Sequence, residues 1–253
     1  MRVVRLLITM LLVLTPVFSA RAEEPVNPER LFYAGNDSYE KGNYIEAIEE
    51  YGKILNSGYE SSNIYYNLGN AYFRAGKPGE AILNYERSKR LMPRDADCDA
   101  NYRFVMSKIK GPVLPQRGMW EWSPLRQYYK SFTADGLLWI SSGLYILVIV
   151  ILLFAVYYPY AGRRFAVAAL LVFVCLMCNL FITWHKIRMT GKEAIVIVPN
   201  VESHYGPSDS ATVFFKLHEG MKVTVLKKKD DWYKIRRADG KIGWARKEDM
   251  GII

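Results

Sequence analysis

Two uncharged apolar runs, residues 136–158 and 165–184, joined by a very short connection, constrain this chain more than any other feature. A helix needs about 20 apolar residues to cross a bilayer, and each run supplies that length. Rings mark the ends (Trp139, Tyr157, Tyr158 and Trp184), where aromatic side chains sit at a membrane–water boundary. The connection Pro159-Tyr160-Ala161-Gly162-Arg163-Arg164 permits only antiparallel neighbours. The segments before and after this hairpin therefore share one side of the membrane.

The N-terminus says which side. Met1, Arg2 and Arg5 form a basic start, residues 6–18 a short apolar core, and Ala20-Arg21-Ala22 a small-residue cleavage motif. Residues 1–22 thus read as a signal peptide, cut after Ala22. Arg163 and Arg164 at the hairpin tip then face the cytoplasm, as the positive-inside tendency expects. Arg126, Lys130, Lys186, Arg188 and Lys192 flank the outer ends and run against that tendency. The signal takes precedence, because the first targeting element usually sets orientation. Both soluble regions are expected outside the cytoplasm.

The chain is 51% hydrophobic with a net charge of +9. Much of that charge lies beside apolar segments: Arg2, Arg5, Arg163, Arg164, Lys186 and Arg188. This points to a membrane and away from nucleic acid, which would call for a basic face with interleaved aromatics on one folded domain. The three cysteines give no disulfide framework: Cys98 is alone, and Cys175 and Cys178 lie inside an apolar run. Residues 111–135 read as a linker followed by an interfacial helix, with Trp120, Trp122, Tyr128, Tyr129 and Phe132 set among Arg126 and Lys130.

Upstream lies an internal repeat. Gly35-Asn36 recurs as Gly69-Asn70, Glu46-Ala47-Ile48 as Glu80-Ala81-Ile82, and Tyr51 as Tyr85. The offset is about 34 residues, the period of the tetratricopeptide repeat, and the segment resembles that family. Leu68, Gly69, Tyr72, Ala81, Tyr85 and Pro93 hold the signature positions of the second copy. The first copy keeps Gly35, Ala47 and Tyr51 but departs at Ala34 and Ser38. Small residues let paired helices approach, Tyr51 and Tyr85 fill the space between units, and Gly42-Asn43 and Gly76-Lys77-Pro78 make the turns. Residues 28–110 are expected to hold two repeats, 28–61 and 62–95, closed by a capping helix over 95–108, since a repeat cannot bury its apolar face alone. The resemblance implies a partner-binding groove lined by Phe32, Asn36, Tyr39 and Glu40 from the first copy and Tyr66, Asn70, Phe73 and Arg74 from the second, with Phe104 continuing the line. That these rings only pack stays open. A basic clamp for a terminal carboxylate is not expected, because Phe32, Asp97 and Asn101 occupy its positions.

Beyond residue 193 the apolar period falls to two. Five strands are expected over 194–198, 212–217, 223–226, 232–235 and 242–245, with turns at Glu219-Gly220 and Asp239-Gly240. Asp231-Trp232-Tyr233-Lys234-Ile235 followed by Gly240-Lys241-Ile242-Gly243-Trp244 is similar to bacterial SH3-like domains, so residues 193–253 are expected to form a small barrel. The resemblance implies a ligand groove at Trp232 with Tyr205 and Pro207, and a core role for Trp244; core packing of Trp232 is the alternative.

No phosphate-cradling loop, zinc-spaced cluster or nucleophile elbow is present, and His185, His204 and His218 are scattered. A non-enzymatic protein without cofactor or metal is expected. The fold class is multi-domain: an all-α tetratricopeptide-repeat solenoid, a two-helix transmembrane hairpin and an all-β SH3-like barrel.

This order of parts, with Tyr65-Tyr66-Asn67-Leu68-Gly69-Asn70-Ala71-Tyr72 continuing to Ala81-Ile82-Leu83-Asn84-Tyr85-Glu86-Arg87, resembles the BatE family of aerotolerance-operon proteins. The resemblance implies a periplasmic scaffold on the bacterial inner membrane, with a role in envelope integrity or oxidative-stress tolerance. Its implied partners are Bat proteins with von Willebrand factor A domains, a large exported Bat protein and, indirectly, a MoxR-type ATPase. Two other classes stay open. One is a peptidoglycan-targeting module that recruits an envelope enzyme; the other is a thiol oxidoreductase using Cys175 and Cys178.

Overall fold

A computed structural model describes residues 27–109 and 124–253. The expected signal peptide, Trp120 and Trp122 lie outside these residues.

Five helices build the first region: α1 (Pro28–Glu40), α2 (Tyr44–Asn56), α3 (Ser62–Arg74), α4 (Pro78–Leu91) and α5 (Ala96–Lys108). Side chains satisfy the orphan amides where three of them begin. Asn27 accepts from the Arg30 N–H, Ser61 from the Ile64 N–H, and Asp95 from the Asp97 and Cys98 N–H groups. Gly42 and Gly76 close the turns with φ of 83° and 78°, which a side chain would oppose. Helices α1, α3 and α5 begin at residues 28, 62 and 96, a constant step of 34. The expected cap therefore stands at the position of the opening helix of a third unit.

The C-terminal region is an all-antiparallel sheet of seven strands: β1 (Glu193–Val196), β2 (Val201–His204), β3 (Val213–Leu217), β4 (Lys222–Lys229), β5 (Trp232–Arg236), β6 (Ile242–Arg246) and β7 (Met250–Ile252), in the order β3-β2-β6-β5-β4-β1-β7. Residues from both edges share one core, Phe215 and Leu217 of β3 with Ala194 of β1 and Met250 of β7, so the sheet curls on itself. Two strands exceed the five expected. β2 is a short segment, Val-Glu-Ser-His, in what reads as a loop, and β7 follows a stretch of charged residues. Neither is long enough to show a period by itself.

The barrel and the helices are not separate bodies. β1 is buried on both faces: Ala194 and Val196 face the barrel core, while Ile195 and Ile197 enter the helical core beside Ala81, Ile82, Tyr85 and Val105. Ile253 joins them. This strand packs on α4, and Ile195 shares a core with Cys98 and Val105 of α5. Close approach requires bare backbone at several points. A Cβ on Gly79 would stand 2.8 Å from the Ile197 backbone, and one on Gly251 would meet Leu83 at 2.1 Å. Glu219 Oε1 accepts from the Gly79 N–H at 2.8 Å, so a barrel carboxylate serves the N-terminus of α4. Arg87 Nη2 donates to the Ile252 carbonyl at 2.8 Å.

At the centre Lys222 Nζ lies 3.1 Å from Glu86 of α4 and 2.8 Å from Glu193 of β1. Burial alone would lower this ammonium, but the two carboxylates more than offset it and hold it above its ordinary value. A raised lysine contributes stability fully below its unfolded value of 10.5, and that contribution is lost as pH rises through the folded value.

Two long helices, α7 (Ala134–Tyr157) and α8 (Gly162–Met189), connect by a 3-10 turn at Pro159–Ala161, and α6 (Pro124–Ser131) precedes them. Both are long and apolar enough to cross a membrane, and only 17% of each most apolar window is buried. Leu137, Ser141, Ala169, Leu176, Asn179 and Thr183 are their buried residues. α8 runs past the expected end at residue 184. There Lys186 Nζ donates to the Tyr129 carbonyl at 2.8 Å and to the Phe132 carbonyl, fixing the helix end to α6. Rings expected on lipid are partly used within the protein. Tyr128 O–H accepts from Asn179 Nδ2 at 3.1 Å, and the Arg94 guanidinium sits 4.4 Å above the Phe132 ring.

Lys222→Met should cost about 1–3 kcal/mol in denaturant unfolding, because it leaves Glu86 and Glu193 facing each other across an apolar joint. Adding Glu86→Gln should recover part of the loss. Gly79→Ala should speed amide exchange in β1 while leaving the β5–β6 ladder slow, because the new methyl pushes the barrel off α4.

Candidate partner-binding surface

The sequence-derived groove residues lie on the first helix of each unit, as the repeat geometry requires. Phe32, Asn36 and Tyr39 sit on α1, half-buried; Tyr66, Asn70 and Phe73 sit on α3, half-buried, with Arg74 exposed. Phe73 and Phe104 meet edge to face at 5.7 Å, so the aromatic line continues onto α5. Glu40 is exposed at the end of α1.

Two asparagines organise this surface. Tyr51 O–H donates to Asn36 Oδ1 at 2.7 Å, and Asn67 Nδ2 donates to the same oxygen at 2.9 Å. One repeat on, Tyr85 O–H donates to Asn70 Oδ1 at 2.7 Å and Asn101 Nδ2 at 3.0 Å. Each tyrosine packs within its own unit, against Gly35 or Gly69, where a Cβ would stand 2.6 Å from the ring. It also reaches the next unit, as the repeat spacing leads one to expect: Tyr51 shares a core with Ile64, Tyr65 and Leu68 of the second repeat, and Tyr85 shares one with Cys98 and Val105 of α5. Asn67 and Asn101 bridge the units as well. Their own 34-residue spacing was the available signal, and it extends the repeat into α5. Among the described residues no bond engages Asn36 Nδ2 or Asn70 Nδ2. With their oxygens held, the two asparagines keep N–H donors at fixed orientation beside the rings. Such a row can donate to the carbonyls of an extended chain between apolar side-chain contacts. Asn101, at an expected clamp position, is used internally, and also donates to Tyr66 O–H at 2.9 Å. Burial pushes Tyr51 up to about 12, with the Asn67 bond pulling the other way.

The barrel pair does not form a groove as expected. Trp232 is only 7% exposed, edge-on to His204 at 5.5 Å and covered by Arg246 at 5.3 Å. Trp244, expected in the core, alternates outward on β6 between the buried Gly243 and Ala245, and is half-buried under Lys234. Tyr205 is 62% exposed and stacks on Phe214 at 4.3 Å, which makes this pair the exposed aromatic feature of the barrel. Cys175 and Cys178 are exposed on α8, away from its buried face, and Cys98 is buried.

Comparison with known proteins places these parts. Residues 62–95 match the tetratricopeptide repeat, and residues 204–250 match the bacterial SH3 domain. The search of curated proteins gave no match. Among solved structures the chain is similar to the crystal structure of YrrB, "a TPR protein with an unusual peptide-binding site", with 16% identity over 64% of this chain and 74% of that one and a TM-score of 0.31. On the two family matches the helices are of tetratricopeptide type and the sheet is of bacterial SH3 type.

Asn70→Leu should cost about 1–3 kcal/mol in thermal unfolding, because it strands the buried Tyr85 hydroxyl and removes one of the two bonds of the Asn101 amide. The contribution of Tyr51 to stability should be constant up to pH ~10 and fall above it, where unfolded tyrosine ionises but Tyr51 in its raised state does not; Tyr51→Phe should remove that part of the alkaline loss.

Proposed function

We propose that this chain is a membrane-anchored, non-enzymatic scaffold whose repeat surface holds an extended segment of a protein partner. The carrying observation is the aromatic row on α1, α3 and α5 with its two oriented asparagine amides. The joint at Lys222 supports a fixed relation between that surface and the barrel. The length, apolarity and exposure of α7 and α8 support a membrane hairpin, and the export signal read at residues 1–22 supports periplasmic placement. The family resemblance supports a finer reading: a Bat-type complex with von Willebrand factor A-domain proteins and a large exported Bat protein, coupled indirectly to a MoxR-type ATPase, in aerotolerance or envelope stress.

Purification from mild detergent after cross-linking, followed by mass spectrometry, tests this. Recovery of von Willebrand-type membrane proteins is expected. Phe73→Ala with Arg74→Glu should lower recovery of the partner about tenfold without lowering bait level. Stable bait that captures no such protein would remove the Bat reading.

A second reading rests on the bacterial SH3 match and the exposed Tyr205–Phe214 pair: the barrel binds peptidoglycan. Sedimentation of the detergent-solubilised chain with purified cell wall, lost on Tyr205→Ala, is the outcome that favours it.

A further inference from the structure

The β4–β5 hairpin concentrates positive charge that meets rings of the fold, Lys234 lying over Trp244, but no carboxylate partner among the described residues. Lys227, Lys228 and Lys229 follow one another on β4, Lys234 lies on β5, and Lys247 follows β6. None of the five forms an ion pair with a carboxylate among the described residues. Lys227 and Lys234 are direct cross-strand partners, a like-charge placement that weakens a sheet. Lys228 and Lys247 both lie over the Tyr233 ring, at 5.5 and 5.6 Å from its centroid. Asp230 and Asp231 form the turn and offset only part of this charge. Such crowding persists where an outside anion compensates it.

The topology says where the hairpin sits. The chain leaves α8 at Met189, and the Lys192 N–H still donates to the Met189 carbonyl. β1 then departs from this point, and β4 returns antiparallel to it, with Glu193 opposite Thr224 and the Val225 N–H bonded to the Lys192 carbonyl. Lys229 lies about 10 Å further along that strand. The lysine tip therefore runs past the start of β1, at the end of the sheet where the chain enters from α8. Lys186, Arg188 and Lys192 lie at that same end.

We infer that the β4–β5 hairpin is a docking surface for the anionic headgroups of the bilayer that holds α7 and α8. The inference rests on the membrane reading proposed above. Juxtamembrane lysines attract acidic lipid over about a Debye length, so the contact should be salt-sensitive.

The test uses the full chain in nanodiscs of phosphatidylcholine alone or with about 30% phosphatidylglycerol. A water-soluble acylating reagent reports each lysine by mass spectrometry, with Lys41 on the first repeat as reference. Acylation of Lys227, Lys228 and Lys229 should slow roughly fivefold in the anionic discs only, and about 0.5 M salt should abolish the difference. Hydrogen exchange of the hairpin amides should slow in the same discs, and the combined Lys227→Gln, Lys228→Gln and Lys229→Gln variant should lose that slowing. Equal lysine reactivity in both discs overturns the lipid surface while leaving the anchor intact. Protection by a soluble polyanion but not by phosphatidylglycerol overturns it in favour of an anionic polymer. A chain that does not co-elute with discs overturns both the anchor and the docking surface.

Discussion

The structure depends on the seam where Lys222 stands between Glu86 and Glu193 while Ile195, Ile197 and Ile253 enter the core of the helical repeats. An ion pair of this kind contributes little as a sum of charges, because desolvation opposes attraction. Its role is to set register. Of the positions the barrel could take against α4, only one brings the ammonium between both carboxylates, Glu219 onto the Gly79 amide and Gly251 against Leu83. The apolar contacts supply the driving force and the polar ones select the pose.

That pose ties together parts that are distant in the chain. β1 and Ile253 complete the apolar core that α4 and α5 share. The same strand begins just after α8, whose end is held by Tyr129 and Phe132 of the preceding segment, and Phe132 in turn lies under Arg94 of the repeats. The aromatic row, the barrel and the apolar helices are thereby held in one arrangement. A partner on α1, α3 and α5 would meet a surface of defined orientation, which is what a scaffold requires and a flexible tether would not provide.

Much of this was legible. Gly35, Gly69, Tyr51 and Tyr85 announce a helical pair because a bare backbone beside a ring is needed wherever two helices approach that closely. The apolar runs announce long helices because their length and lack of charge leave little else. The groove residues Phe32, Asn36, Tyr39, Tyr66, Asn70 and Phe73 could be placed on one surface from the 34-residue step alone. What escaped was of two kinds. β2 and β7 are too short to display a period. The continuous run Ala194-Ile195-Val196-Ile197-Val198 did carry a signal, since a strand apolar on both faces has two cores to fill, but it does not name the second core.

Trp232 and Trp244 show the limit most clearly. Both read as aromatic residues on adjacent strands, and either could be core or surface. The pairing of His204 with Trp244, and the outward phase of β6 between Gly243 and Ala245, settled the matter. By itself the sequence determined the local elements: helix pairs at a fixed period, two lipid-length apolar helices, and a strand-rich tail, because these follow from spacing and side-chain chemistry along the chain. Only the tertiary structure decided that the tail packs on the repeats, that Lys222 sits between two carboxylates, and that Lys227 stands opposite Lys234 on the β4–β5 hairpin. The first two outcomes depend on which faces meet across more than a hundred residues of chain, and side-chain periodicity carries no information at that range.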